Sequence, residues 1–169
     1  MARHPDSAAA IVHDAGGQIV GRTRLQKIAF FLEAAGVGAG FPFRYKHFGP
    51  YSEQLAAAAQ HAAALRLISE EECIANWGGQ YSIYSTQLPV EPSSHPARAQ
   101  LAHELVEADA VELELAATAA FLAREGFPDP WAETARRKPE KAEEGRLEGA
   151  KQLYSRLRQV QTPQPLPPI

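Results

Sequence analysis

Cysteine is nearly absent from this chain of 169 residues: Cys73 stands alone, so no disulfide can close within it and no cysteine-based metal cluster can form. A disulfide-stapled fold is excluded, and a reducing, cytoplasmic setting is the expectation. Long apolar runs are also missing. No stretch approaches the roughly 20 residues of a membrane-spanning helix, and the opening MARHPDSAAAIVHDAGG has no basic flank followed by a hydrophobic run, so neither a span nor a secretory leader is expected. Positive charge is not in excess: the formal net charge of -3 argues against attraction of the whole surface to nucleic acid or membrane, though a local patch could still supply one.

Catalytic and metal signatures are lacking too. The six histidines, His4, His13, His47, His61, His95 and His103, include no H-x-x-x-H pair, and His103-Glu104 lacks a second histidine. The run GVGAG around Gly36, Gly38 and Gly40 lacks the Lys-Ser/Thr of a phosphate loop and follows a helix, where a dinucleotide fingerprint needs a preceding strand. Glu70, Glu71 and Glu72, like Glu143 and Glu144, read as solvated charge, and Cys73 as a small buried residue. No enzyme activity, cofactor or metal is expected.

What is present is mostly helical. A short helix is predicted over Ser7–Ala15, capped by Asp6 or Ser7 and ended by Gly16-Gly17. Thr23 and Gln26 have the spacing of a capping box at the start of a second helix, whose Leu25, Ile28, Ala29 and Leu32 form an apolar stripe, with Phe30 and Phe31 widening it and Gly36 closing it. Arg24 and Lys27 fall on the polar side of that register, next to Arg22. Cations at a helix start oppose its dipole, so this entrance breaks a local rule.

From Phe43 to Phe48 aromatic and polar residues alternate as in a strand, and Gly49-Pro50 reads as a turn with Pro50 at the first position of a third helix over about Tyr51–Leu67. Ile68–Asn76 and Gln80–Thr86 read as a hairpin turned by Asn-Trp-Gly-Gly, with Trp77 packing the turn. Pro89, Pro92 and Pro96 then punctuate a loop.

Beyond it, helical periodicity breaks near Asp109, passes through a short helix at Trp131–Arg137, and resumes from about Ala142 to Val160. The tail QTPQPLPPI is expected to be disordered and solvated. The fold class expected is α+β and mostly α, with a winged-helix-like module over 1–88 that includes a small β-hairpin, packed helices over 89–160 of the same compact unit, and the Pro-rich tail 161–169.

Several of these stretches resemble the YwgA-like family and the related Panacea domain, which includes the SocA-type antitoxins. The likeness lies in TRLQK-I-x-F-F-L at Thr23–Leu32, F-G-P-Y-S at Phe48–Ser52 and L-R-L-I at Leu65–Ile68, with a weaker echo in LELAATAAFLAREG from Leu113 and RRKPEKAEEGRLEGAKQLYSRL from Arg136. What the resemblance implies is a small bacterial binding domain, antitoxin-like or an accessory subunit of a toxin-antitoxin or defence assembly, whose partner is a protein.

The cations around the second helix supply the candidate contact surface. Between Gly21 and Tyr51 stand Arg22, Arg24, Lys27, Arg44 and Lys46 against the single Glu33, interleaved with Tyr45, His47 and Tyr51. Such a patch suits an acidic protein surface or phosphates. A winged-helix DNA-binding regulator is therefore the alternative, and a homodimer is open in either case. Direct base readout is poorly equipped, since Ser52–Leu67 offers only Gln54, Gln60, His61 and Arg66 amid alanines. The later basic residues Arg136, Arg137, Lys138 and Lys141 are diluted by Glu133, Glu140, Glu143 and Glu144 and read as a soluble face.

Overall fold

The computed structural model describes residues 4–86 and 93–169. Along them run α1 (His4–Asp14), β1 (Gln18–Val20), α2 (Arg22–Ala34), β2 (Arg44–Lys46), β3 (Gly49–Tyr51), α3 (Glu53–Ala64), β4 (Ile68–Ile74), β5 (Gln80–Thr86), α4 (Pro96–Val106), α5 (Ala110–Arg124), α6 (Pro130–Arg137) and α7 (Arg146–Gln159). The architecture is α+β, mostly helical, with two small antiparallel sheets: β1-β5-β4 and the hairpin β2-β3. Pro89, Pro92 and the 88/89 division drawn from sequence lie outside the described residues.

The helices α2 and α5 form the centre. Every residue from Leu25 to Leu32 and every residue from Leu113 to Leu122 is buried, so neither helix keeps a solvent face along its middle. Against α2 pack α4, α5 and β3, and α5 in turn carries α6 and α7, so one hydrophobic core runs through both halves of the chain. Burying each Phe or Leu contributes roughly 2 kcal/mol, and Phe30, Phe31 and Phe121 meet edge-on or tilted inside this core. The polar side assigned to α2 by its periodicity is thus corrected at Lys27, which α5 and β3 cover.

Two local expectations are also corrected. The spacing of Thr23 and Gln26 does not become a capping box: α2 starts after Gly21 without a side-chain cap. Buried Gln26 instead donates from Nε2 to the Ser52 carbonyl (3.0 Å) and accepts the Ser52 N–H (2.8 Å), tying α2 to the start of α3. Ser52, not Pro50, begins α3, accepting the Leu55 N–H. Pro50 lies in β3 opposite Tyr45, and the turn falls on His47 and Phe48. Alternate pairs of an antiparallel ladder exchange no hydrogen bonds, so the missing N–H of Pro50 costs this hairpin little.

The second hairpin forms at β4 and β5 as expected, and β1 adds to its β5 edge through Gln18↔Ser85 and Val20↔Ile83. Trp77 packs on the turn itself and not into the core. Its indole lies over Gly79, where no Cβ intervenes, and is 81% exposed. Cys73 is half-exposed, not buried. The break near Asp109 is real, with its carboxylate capping α5 through the Val111 and Glu112 N–H groups. Trp131 is buried and meets the Tyr154 ring edge-on at 6.0 Å.

The tail is the largest departure. Leu166 is buried, Tyr154 Oη donates to the Pro167 carbonyl (2.6 Å), Arg158 Nε donates to the Leu166 carbonyl (3.1 Å), and the Gln164 N–H reaches the Ala35 carbonyl (3.0 Å). Proline-rich backbone cannot pair with itself, which leaves its carbonyls open to side-chain donors from α7. Burial also pushes the Tyr154 hydroxyl up to about 12, keeping it a donor over the whole neutral range. Leu166→Ala is therefore expected to lower the unfolding free energy by about 2 kcal/mol in urea titrations, where a solvated tail would register almost nothing.

Candidate interaction surface and its buried support

Of the five cations identified in the sequence, Arg24 and Lys27 turn inward and Arg22 is tied down at the surface. Arg22 is exposed along its length, yet its guanidinium donates to Glu70 (2.9 Å and 3.2 Å), Glu72 (3.1 Å) and Ser82 (3.1 Å), fastening α2 to β4 and β5. Arg24 reaches the carbonyls of Leu105 (3.4 Å), Val106 (3.2 Å) and Ala108 (2.6 Å) at the end of α4, where the helix dipole favours a cation. The broken rule at the start of α2 is thereby compensated at two other elements. Neither arginine is a freely solvated charge.

Lys27 is 1% exposed, and its Nζ donates to the Pro50 carbonyl at 2.8 Å. Burial brings its amine down to about 7; the Glu114 carboxylate opposes that shift, while Lys138 and Lys141 add to it. Glu114, also buried, accepts from Lys138 (2.9 Å) and with both oxygens from Lys141 (2.8 Å each). Lys138 gives a further hydrogen bond to the His47 carbonyl at 3.1 Å. Beside Lys27 the buried Thr118 Oγ1 has no hydrogen-bond partner among the described residues. Gly49 closes this space: its φ is +94°, and a Cβ there would stand 2.6 Å from Thr118 Oγ1 and 3.6 Å from Lys27 Nζ.

The run Arg136–Lys141 is therefore not wholly a soluble face. Lys138 and Lys141 point to Glu114, while Arg136 and Arg137 hold Glu133, whose carboxyl the two guanidinium groups keep at about 2. A carboxylate alone in the apolar run LELAATAAFL, Leu113–Leu122, was the available signal for this cluster, because a buried acid requires a cation within reach.

Above the cluster sits the β2-β3 hairpin, held from beneath at His47 by Lys138 and at Pro50 by Lys27. Strand alternation divides its residues. Tyr45 faces inward, its ring 6.0 Å from Phe121 and 4.8 Å from the Arg137 guanidinium. Lys46 faces Tyr51 at 5.2 Å and donates to Glu53 at 2.5 Å; Arg44, opposite Tyr51 in the ladder, is exposed and also acts on Glu53. His47 is exposed at the turn. Next to it Phe48 is 55% exposed, with Lys141 Nζ 5.0 Å from its ring.

Of the residues identified in the sequence, Arg44, Lys46, His47 and Tyr51 come together on the outside of one hairpin and Tyr45 lies beneath them. Arg22, Arg24 and Lys27 do not join them. Phe48 belongs to the surface although its alternation with charged neighbours did not single it out. Among the described residues no group of three or more His, Cys, Asp or Glu side chains is placed to hold a metal ion, and no helix is long and apolar enough to cross a membrane. Set against known proteins, the chain matches no family model, no curated protein and no solved structure.

Proposed function

We propose that the protein acts by protein–protein contact without chemistry of its own, as an antitoxin-like or accessory subunit of a bacterial assembly, and that the β2-β3 hairpin is its contact surface. The observation that carries this reading is an aromatic side chain, Phe48, exposed at a turn whose backbone is gripped by two buried lysines. A side chain on a fixed backbone loses little freedom on binding, and buried aromatic anchors dominate interface energetics. Arg44, Lys46 and His47 around it favour an acidic partner.

We read residues 4–86 as winged-helix-like, on the order helix, strand, helix, short hairpin, helix and long hairpin, with β1 joining the β4-β5 sheet. DNA binding draws less support from the same elements. Helix α3 exposes Glu53, Gln54, Gln60 and His61 and has no lysine or arginine, and β4 presents Glu71 and Glu72 along the wing.

The test is a photo-reactive phenylalanine analogue at position 48 in cells of the source organism. A discrete protein adduct is expected, and in the isolated complex Phe48→Ala with Arg44→Glu should weaken binding about tenfold or more. Binding unaffected by this pair of substitutions would sink the proposal. So would a duplex-DNA shift that fades steeply with salt and is lost in Arg44→Glu.

A further inference from the structure

A cleft of about 530 Å³ opens between α2, the end of α5, the 127–130 loop and the docked tail, away from every hairpin residue used above. Its size suits a small organic ligand, and it is wider than the clefts of 310 to 320 Å³ elsewhere on the molecule. Phe127 and the rings of Pro128, Pro167 and Pro168 line it, and Phe30 lies buried beneath.

The polar groups in the cleft differ in what they have left to offer. Glu33 already accepts the Gly40 N–H with both oxygens (2.7 Å and 3.0 Å), and Asp129 caps α6 through the Ala132 N–H (3.1 Å). Arg124 is different. Its side chain is exposed, with the guanidinium 5.5 Å from the Phe30 ring and 5.0 Å from the Phe121 ring, within cation–π range of both. Among the described residues none accepts a hydrogen bond from it, so its N–H fork is open. A planar fork of this kind is matched by a carboxylate, which accepts two parallel hydrogen bonds. The two acids in the wall oppose a dianion, so a single negative charge is the better fit.

We propose that this cleft binds a small monocarboxylate with an aromatic body, the carboxylate seated on Arg124 and the ring against Phe127 and the prolines of the tail. Neither the hairpin surface nor a protein partner is required for it.

Isothermal titration of the full chain with indole-3-acetate, its neutral amide indole-3-acetamide, and phenyl phosphate tests the assignment. The acid is expected to bind with Kd of about 100 µM, and at least about tenfold more tightly than either the amide or the dianionic phosphate. Arg124→Gln should erase the preference of acid over amide while the amide still binds, a result that loss of folding cannot imitate. Ala123→Phe, which keeps Arg124 and fills the cleft, should abolish binding of both. Equal affinity of acid and amide for the unaltered chain, a preference that survives Arg124→Gln, or no binding of the acid at millimolar concentration would each overturn the proposal.

Discussion

Glu114→Gln is expected to lower the unfolding free energy by about 3 to 5 kcal/mol, the largest effect of any single polar substitution in this molecule. Among the described residues Glu114 is the only carboxylate hydrogen-bonded to Lys138 and Lys141, and its charge also acts on Lys27. Removing it leaves Lys138 as a buried cation with a carbonyl for company, whereas Lys141 is more exposed and can turn to water. Adding Lys138→Met to Glu114→Gln should recover more than half of the loss, because the substitution takes away the charge that was left unpaired. Urea titrations with an unchanged m-value measure both steps. A loss of about 1 kcal/mol or less for Glu114→Gln would mean that water or rearrangement supplies what Glu114 does here.

Stability of the unaltered chain is expected to rise as pH is raised from about 7 toward 10. The Lys27 amine is held at about 7 in the fold against an ordinary value of 10.5. Between those values the unfolded chain binds a proton that the folded chain has released, so stability increases with pH at up to about 1.4 kcal/mol per unit. Below pH 7 both states are protonated, and this contribution is fully lost. Tyr84 and Tyr154, which burial raises to about 12, act with the opposite sign above pH 10 and end the useful window there. In Lys27→Met the rise should disappear. A wild-type chain whose stability is flat from pH 7 to 9.5 would show that Lys27 stays charged, or titrates normally, in the fold.

Both effects arise where sequence patterns pointed elsewhere. Side-chain periodicity and glycines located all seven described helices and the β4-β5 hairpin, because apolar spacing and Asn-Trp-Gly-Gly act on the backbone next to them, while the starts expected at Asp6 or Ser7, Thr23 and Pro50 are not those of α1, α2 and α3. Long polar side chains do not report on their neighbours in sequence. Gln26 stood at a capping position and bonds Ser52, 26 residues away; Arg24 caps a helix more than 80 residues away. Pro50 had the local chemistry of a helix start, yet the competing strand pairing with Tyr45 won.

The candidate surface was legible in part for the same reason. Strand alternation placed Arg44 and Lys46 on one side of a short strand, and this survives in the hairpin. The cations of α2 could not be sorted by alternation or helical register, since Lys27 is drawn inward by Glu114 and by the Pro50 carbonyl, from elements far away in the chain. Phe48 emerges as exposed only because the turn carries it clear of Phe121 and Phe30, which take Tyr45 and Phe43 instead.

By itself the sequence determined the class of fold, the positions of the helices, the lack of any disulfide and the concentration of cations around α2. The tertiary structure alone decided which of those cations meet solvent, where the proline tail lies, and which carboxylate holds the lysines. The division follows from range: backbone conformation is set by neighbours a few residues away, whereas the partner of a buried charge is set by whichever distant element packs closest to it.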